Sequence, residues 1–356
     1  MRRLITLGFL SMSLFGCLFG KSPSLKKADT LPKGASYIVY DDGQGLVAVD
    51  GASGVAYRWS PRASTADALR GTPHAQLGAT VLARDGLSLT LPLPAGAREP
   101  SVSPDLRQFV FTRPGQGSAS SVERMAVDGS DPLSLTSGGS APSFLADGTV
   151  GLRGGDQVSG SAIYRVNADG SGLSTVVETP GRSVSYLEWS PDGTRVAYSV
   201  TGAETPARIE VASLDGAGAT PIIDVAGATA TRPRWSPDGA WIAALVKLPV
   251  DKSLTAPATL WVADARTGQG AALMDLPAKE PSMTTRGGYK GARELAWSPD
   301  GQTIAFFAAM AGDCNQNTSG ELICRHDLYI INRDGSGMKR LVKAQLTQPR
   351  ALAWLP

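Results

Sequence analysis

The sequence predicts an all-β protein, a β-propeller. Two observations carry this. Trp-Ser-Pro-Asp-Gly occurs three times, from Trp189, Trp235 and Trp297, each time leading into an apolar strand. Weaker copies extend the series at Trp59-Ser60-Pro61, Val102-Ser103-Pro104-Asp105, Phe144-Leu145-Ala146-Asp147-Gly148 and Trp354-Leu355-Pro356. Successive landmarks are separated by 43, 42, 45, 46, 62 and 57 positions. A period in the low forties with four short strands per unit is the signature of a propeller blade.

Turn chemistry explains the repeat. Proline presets φ at the first central turn position, aspartate bonds back to local amides, and glycine accepts a positive φ. The turn joins an inner strand ending at tryptophan to a second strand such as Arg195-Val196-Ala197-Tyr198. The indole then gives neighbouring sheets a large apolar face.

In the clearest unit the inner strand ends at Trp189 and the second is Arg195 to Val200. The third and fourth are Arg208 to Ser213 and Ala219 to Val225. After Trp235 come Trp241 to Lys247, Thr259 to Asp264 and Ala271 to Asp275. After Trp297 come Thr303 to Ala308, Asp327 to Asn332 and Met338 to Val342. Leu352-Ala353-Trp354 is an inner strand with nothing after it, and Tyr37 to Tyr40 and Leu46 to Val49 lack an inner partner. Pairing the two ends closes the ring and removes exposed edges. Counting inner strands at Trp59, Val102, Phe144, Trp189, Trp235, Trp297 and Trp354 gives seven blades. Six is the alternative, with Trp59 on an outer strand.

Met1-Arg2-Arg3 followed by the apolar run Leu4 to Phe15 reads as a signal peptide over residues 1–16. Leu14-Phe15-Gly16-Cys17 resembles a bacterial lipobox, which implies a lipid on Cys17; an ordinary secretory peptide is the alternative. Residues 17–34, rich in lysine and proline, read as a flexible tether, and 35–356 as a single propeller domain. Without residues 1–16 the chain has 340 residues and 32 basic against 32 acidic side chains. Neutrality argues against nucleic acid as a partner, because phosphate binding needs concentrated positive charge. Of three cysteines, Cys314 and Cys324 flank a polar stretch, and in an oxidising compartment the expected reading is a disulfide.

Trp297-Ser298-Pro299-Asp300-Gly301-Gln302-Thr303-Ile304-Ala305-Phe306, continued by Leu328 to Gly337, resembles the repeat of TolB-type β-propellers. The resemblance covers residues 95 to 356. It implies an extracytoplasmic interaction propeller, since TolB is a soluble periplasmic protein binding partners in the cell envelope. TolB's additional amino-terminal domain has no counterpart here, and this chain carries its own lipidation signal. Leu18 stands where an inner-membrane retention aspartate would, so family analogy implies the outer membrane.

Peptidase chemistry lacks its motifs: there is no Gly-x-Ser-x-Gly elbow, and His74 and His326 are the only histidines. Both are expected in loops. No cofactor motif or metal-ligand pattern is present. The Asn167 to Gly172 and Asn332 to Gly337 turns are oxygen-rich enough to suggest calcium, with plain hairpin turns as the alternative. The functional pattern lies at the entrances to the inner strands. Arg98, Arg293 and Arg350 stand four positions before the landmark, Arg232 three, Arg182 seven, and Arg234 one. Radial repetition brings such guanidinium groups toward one funnel, suited to a carboxylate, phosphate or acidic peptide. Mutual pairing with Glu99, Glu188 and Glu294 is the alternative. The loop Ala278 to Gly291, with Arg286, Tyr289 and Lys290, enters the same face. These residues predict a lipid-anchored, non-enzymatic module binding a protein, peptide or envelope polymer. The rivals are a carbohydrate-active or lactone-type enzyme using funnel carboxylates, and a purely structural scaffold.

Overall fold

The computed structural model describes residues 25–70, 74–83, 85–116, 120–156, 160–247, 258–275, 294–308, 314–316, 322–346 and 352–355. Seven sheets form the blades of a propeller. Blade 1 spans residues 62–90, blade 2 98–136, blade 3 140–180, blade 4 183–223, blade 5 229–275 and blade 6 295–346. Blade 7 combines strands from 26–59 with Leu352–Leu355.

In blades 2 to 6 the chain runs from the inner strand outward through antiparallel neighbours. The second strands are nearly continuous apolar runs, such as Arg195–Thr201, Trp241–Lys247 and Thr303–Ala308. Such runs suit a sheet covered on both faces by its neighbours. The core accordingly lies between blades. Ala243, Leu245 and Leu260 of blade 5, for instance, pack with Trp297, Ile304 and Phe306 of blade 6.

The turn motif behaves as its residues dictate. In the unit from Trp189, Ser190 Oγ donates to Asp192 and accepts from the Arg195 amide at 2.9 Å. Asp192 accepts the Thr194 amide, and Gly193 takes φ 70°. The same bonds recur around Ser103, Ser236 and Ser298, whose side chains are all buried. Successive turns also stack. A Cβ on Gly239 would meet Pro191, and one on Gly301 would meet Pro237.

The ring closes as expected, with Tyr37, Ile38, Val39 and Tyr40 opposite Leu355, Trp354, Ala353 and Leu352. Three expectations need correction. Trp59 ends the fourth strand of blade 7 (Ala56–Trp59), not an inner strand. Its indole packs with Leu77 and Leu82 of blade 1. The ring still has seven blades because residues 62–90 build one, with His74–Leu77 innermost and Arg62–Ala63 outermost. Residues 26–31, expected to be flexible chain, are instead part of the propeller, since Lys26–Ala28 adds a parallel fifth strand to blade 7 and Leu31 is buried. Both histidines lie on strands. His74 opens the inner strand of blade 1, and His326 is buried on the third strand of blade 6, with Nδ1 3.0 Å from the Leu346 carbonyl.

Candidate functional site

Aligning inner strands on their landmark residues exposes a repeat of backbone shape. Glu99, Ala141, Tyr186 and Arg232 stand three positions before Val102, Phe144, Trp189 and Trp235, and all four have positive φ, between 48° and 57°. At each, the pairing of inner and second strand slips, which marks a β-bulge. Proline follows in three of the four, at Pro100, Pro142 and Pro233. A bulge is one of the few places where a strand tolerates proline, because the missing N–H has no ladder partner there. A left-handed non-glycine residue costs about 1–3 kcal/mol and persists only where its surroundings impose it.

The landmark and the residue before it stitch neighbouring blades. Gln76 Oε1 accepts the Val102 amide, Ser101 Oγ the Phe144 amide and Glu188 Oε1 the Trp235 amide. Trp235 Nε1 donates to the Glu188 carbonyl and Trp297 Nε1 to the Arg234 carbonyl, both at 3.0 Å. Glu99 adds another stitch, accepting from Thr112 Oγ1 and from the Ala141 amide at 2.8 Å.

These strands bring together a cluster from blades 4, 5 and 6. The Arg232 guanidinium lies over the Tyr186 ring, 4.9 Å from its centroid, and donates through Nη1 to Glu294 at 3.3 Å. Arg234 pairs with Glu188 and lies 3.9 Å from Glu294. Among the described residues the cluster holds two guanidinium groups and two carboxylates, and Glu294 has a further interaction beyond these. Tyr186 is 47% exposed beside them.

The other candidates are placed differently. Arg98 opens the inner strand of blade 2 and is exposed. Arg182 donates to Glu210 at 3.0 Å, where Arg208 and the Tyr198 hydroxyl also converge. Burial pushes Glu210 up, but the bonds from Arg208 and Tyr198 outweigh it and hold the carboxyl below its usual range. Burial, with the Glu210 charge, raises the Tyr198 phenol well above its ordinary value. Arg182 is thus part of an ion-pair network anchored on the third strand of blade 4. Arg286, Tyr289, Lys290, Arg293, Arg350 and Cys17 lie outside the described residues. Cys314 and Cys324 face each other in register on a two-stranded hairpin, and their side chains lie outside the description.

Tyr186 was not among the expected site residues, although it stands at the same register position as Arg232. The Asn167 and Asn332 turns spend their oxygens internally, with Asp169 and Asp334 accepting from the Ser171 and Ser336 amides. Among the described residues no group of three or more His, Cys, Asp or Glu side chains is gathered to hold a metal ion.

No family model matches the chain, and no curated protein matches it by sequence. Solved structures do. TolB from Acinetobacter baumannii matches with a TM-score of 0.50 at 15% identity, over 90% of this chain and 66% of that one. This chain therefore spans just under two thirds of that TolB's length. An oligogalacturonate lyase from Vibrio parahaemolyticus gives 0.54 at 13% identity, over 86% of this chain and 85% of that one. An oligogalacturonate lyase in complex with manganese gives 0.51 at 14%, over 74% and 79%. At such identities likeness speaks for fold alone. The chain is a seven-bladed β-propeller whose fold resembles those of TolB and of the oligogalacturonate lyases.

Proposed function

We propose that this protein is a binding module displayed outside the cytoplasm, holding a protein, peptide or envelope polymer at the axial mouth of blades 4 to 6. The observation that carries this reading is the Tyr186–Arg232–Glu294 chain, which joins three adjacent inner strands and leaves an aromatic ring exposed. Binding residues on a rigid scaffold lose little freedom on association, which favours affinity.

The lipid on Cys17 is part of the proposal. It tethers the propeller to a membrane, with the outer membrane favoured by Leu18. A Cys314–Cys324 disulfide belongs to it as well. Residues opposite each other in an antiparallel pair have Cα atoms about 4.5–5.5 Å apart, within the disulfide range.

The test is chemical crosslinking of the full chain in its native envelope, beside Tyr186→Ala with Arg232→Ala. Capture of a partner by the wild type and its loss in the double variant is expected. Equal capture by both removes the axial site.

A second reading, an enzyme acting on a uronate polymer, draws on the two lyase structures and on the carboxylates of Glu188 and Glu294 sharing Arg234. Release of unsaturated uronate from oligogalacturonate, abolished by Glu294→Gln, would establish it. No release favours the binding module.

A further inference from the structure

The outermost strands of the blades differ in charge. Those of blades 2 to 5, Leu133–Thr136, Ser174–Pro180, Ala219–Ile223 and Gly270–Asp275, hold no lysine or arginine. That of blade 1 holds Arg62 alone. The outermost strand of blade 6, Lys339–Leu346, carries Lys339, Arg340 and Lys343, and that of blade 7, Lys26–Ala28, carries Lys26 and Lys27. All five are exposed, and neither strand contains an acidic residue. Arg340 pairs with the buried Asp327 at 3.2 Å, and Asp29 and Asp334 lie in the chain next to the two strands. Among the described residues Lys26, Lys27, Lys339 and Lys343 are in no ion pair.

These two strands are neighbours. Leu25 packs against the same core cluster as Leu341, Val342 and Ala344. Lys339 Nζ donates to the Ala52 carbonyl at 3.0 Å, and a Cβ on Gly54 would lie 3.0 Å from the Leu341 carbonyl. The turn over residues 51–55 of blade 7 therefore lies against the start of Lys339–Leu346. At that junction stand Val55 and Met338, 42% and 40% exposed, two of the four large apolar side chains exposed among the described residues. Lysine on an edge strand commonly guards against edge-to-edge pairing. That duty does not explain the pattern, because Ser174–Pro180 is an edge of seven residues without one.

Lysines beside exposed apolar side chains suit an anionic bilayer. Their ammonium groups meet lipid phosphates, while the lysine stems, Val55 and Met338 enter the headgroup boundary. Each basic residue held at such a surface strengthens binding about fivefold. The described chain also begins at this edge, at Leu25, eight positions after Cys17. An anchor on Cys17 would keep the edge within about 30 Å of the bilayer.

We propose that the joined outer edges of blades 6 and 7 dock on an anionic phospholipid surface through Lys26, Lys27, Lys339 and Lys343. The proposal goes beyond the axial binding reading and is independent of it. Edge-on docking leaves blades 2 to 4, across the ring, directed away from the bilayer.

Vesicle cosedimentation tests this with residues 17–356 carrying Cys17→Ser, which keep every described residue and bear no lipid. Vesicles of phosphatidylcholine with phosphatidylglycerol are compared with pure phosphatidylcholine, and polyglutamate serves as an acidic polypeptide. Saturable binding to the anionic vesicles alone is expected, lost as salt rises from about 0.05 to about 0.5 M. Lys27→Gln with Lys343→Gln should weaken it about tenfold or more. Arg107→Gln with Lys247→Gln, exposed on blades 2 and 5, removes the same charge and should leave binding within about twofold. Lys27→Arg with Lys343→Arg keeps the charge and should retain binding, and melting temperatures near the wild type show each variant folded. No binding to anionic vesicles overturns the proposal, as does equal binding to phosphatidylcholine or an equal loss in the blade 2 and 5 variant. Binding to polyglutamate without binding to vesicles assigns the edge to an acidic polypeptide and overturns it as well. None of these failures touches the axial reading, whose residues Tyr186 and Arg232 lie on inner strands.

Discussion

Replacing Trp297 and Trp189 separately by phenylalanine isolates the hydrogen bond that stitches one blade to the next. The two indoles end equivalent inner strands and are 7% and 8% exposed. Shrinking indole to phenyl removes similar apolar area at each, so the transfer and cavity costs largely cancel. Their Nε1 groups differ. Trp297 donates to the Arg234 carbonyl at 3.0 Å, while Trp189 Nε1 is buried without an acceptor among the described residues. A Cβ on Gly151 would lie 2.1 Å from the Trp189 ring, which shows how closely that indole covers blade 3. Trp297→Phe strands a carbonyl that had a partner, at a cost of about 1–3 kcal/mol. Trp189→Phe removes a donor that satisfied nothing in the protein. The expected result is that Trp297→Phe is more destabilising by about 1–3 kcal/mol. Urea unfolding followed by far-UV circular dichroism, with unchanged slopes, gives the comparison. Equal losses, or a greater loss in Trp189→Phe, would refute the stitch.

Other outcomes follow from the same contacts. Val39→Cys with Ala353→Cys places thiols on directly opposed residues of blade 7. Oxidation should form a disulfide and raise the melting temperature, and a failure to link in non-reducing electrophoresis would contradict the closure. Gly151→Ala should cost about 1–3 kcal/mol or more through overpacking against Trp189, measured by the same urea titration. Asp192, Asp238 and Asp300 are held below the usual carboxylate range chiefly by the Ser190, Ser236 and Ser298 hydroxyls. A depressed folded-state pKa stabilises above the unfolded value of about 3.9, and that stability disappears as pH falls through the folded value. Melting temperature should therefore drop below about pH 4, and Asp192→Asn should flatten the drop. An unchanged profile in that variant would deny the turn its role.

The sequence was most readable where local chemistry alone dictates shape. Ser-Pro-Asp-Gly demands one turn, and that turn located three of the inner strands directly and two more through worn copies. Trp354 located the sixth through its need for an edge partner. Blade 1 was opaque because its inner strand, His74–Leu77, is followed by a plain two-residue turn with no tryptophan before it. Trp59-Ser60-Pro61 imitated the landmark without its geometry, since its strand already had an inner neighbour in Leu46–Asp50. The placement of Arg232 and Arg234 on an inner strand, beside Glu188 and Glu294, was legible from spacing. The commitment of Arg182 to Glu210 was not, because the partner arrives from a different strand 28 positions away. Least legible were the bulges. Their left-handed residues are glutamate, alanine, tyrosine and arginine, and not glycine, so composition carried no warning beyond the prolines that follow three of them.

The most direct measurement places a photocrosslinking phenylalanine derivative at residue 186 and, as a control, at residue 173. Leu173 is 55% exposed in a hairpin turn of blade 3, away from the inner strands. Irradiated in the native envelope, the probe at 186 should capture a ligand that the probe at 173 does not. Capture from 173 alone, or equally from both, would contradict an axial binding site.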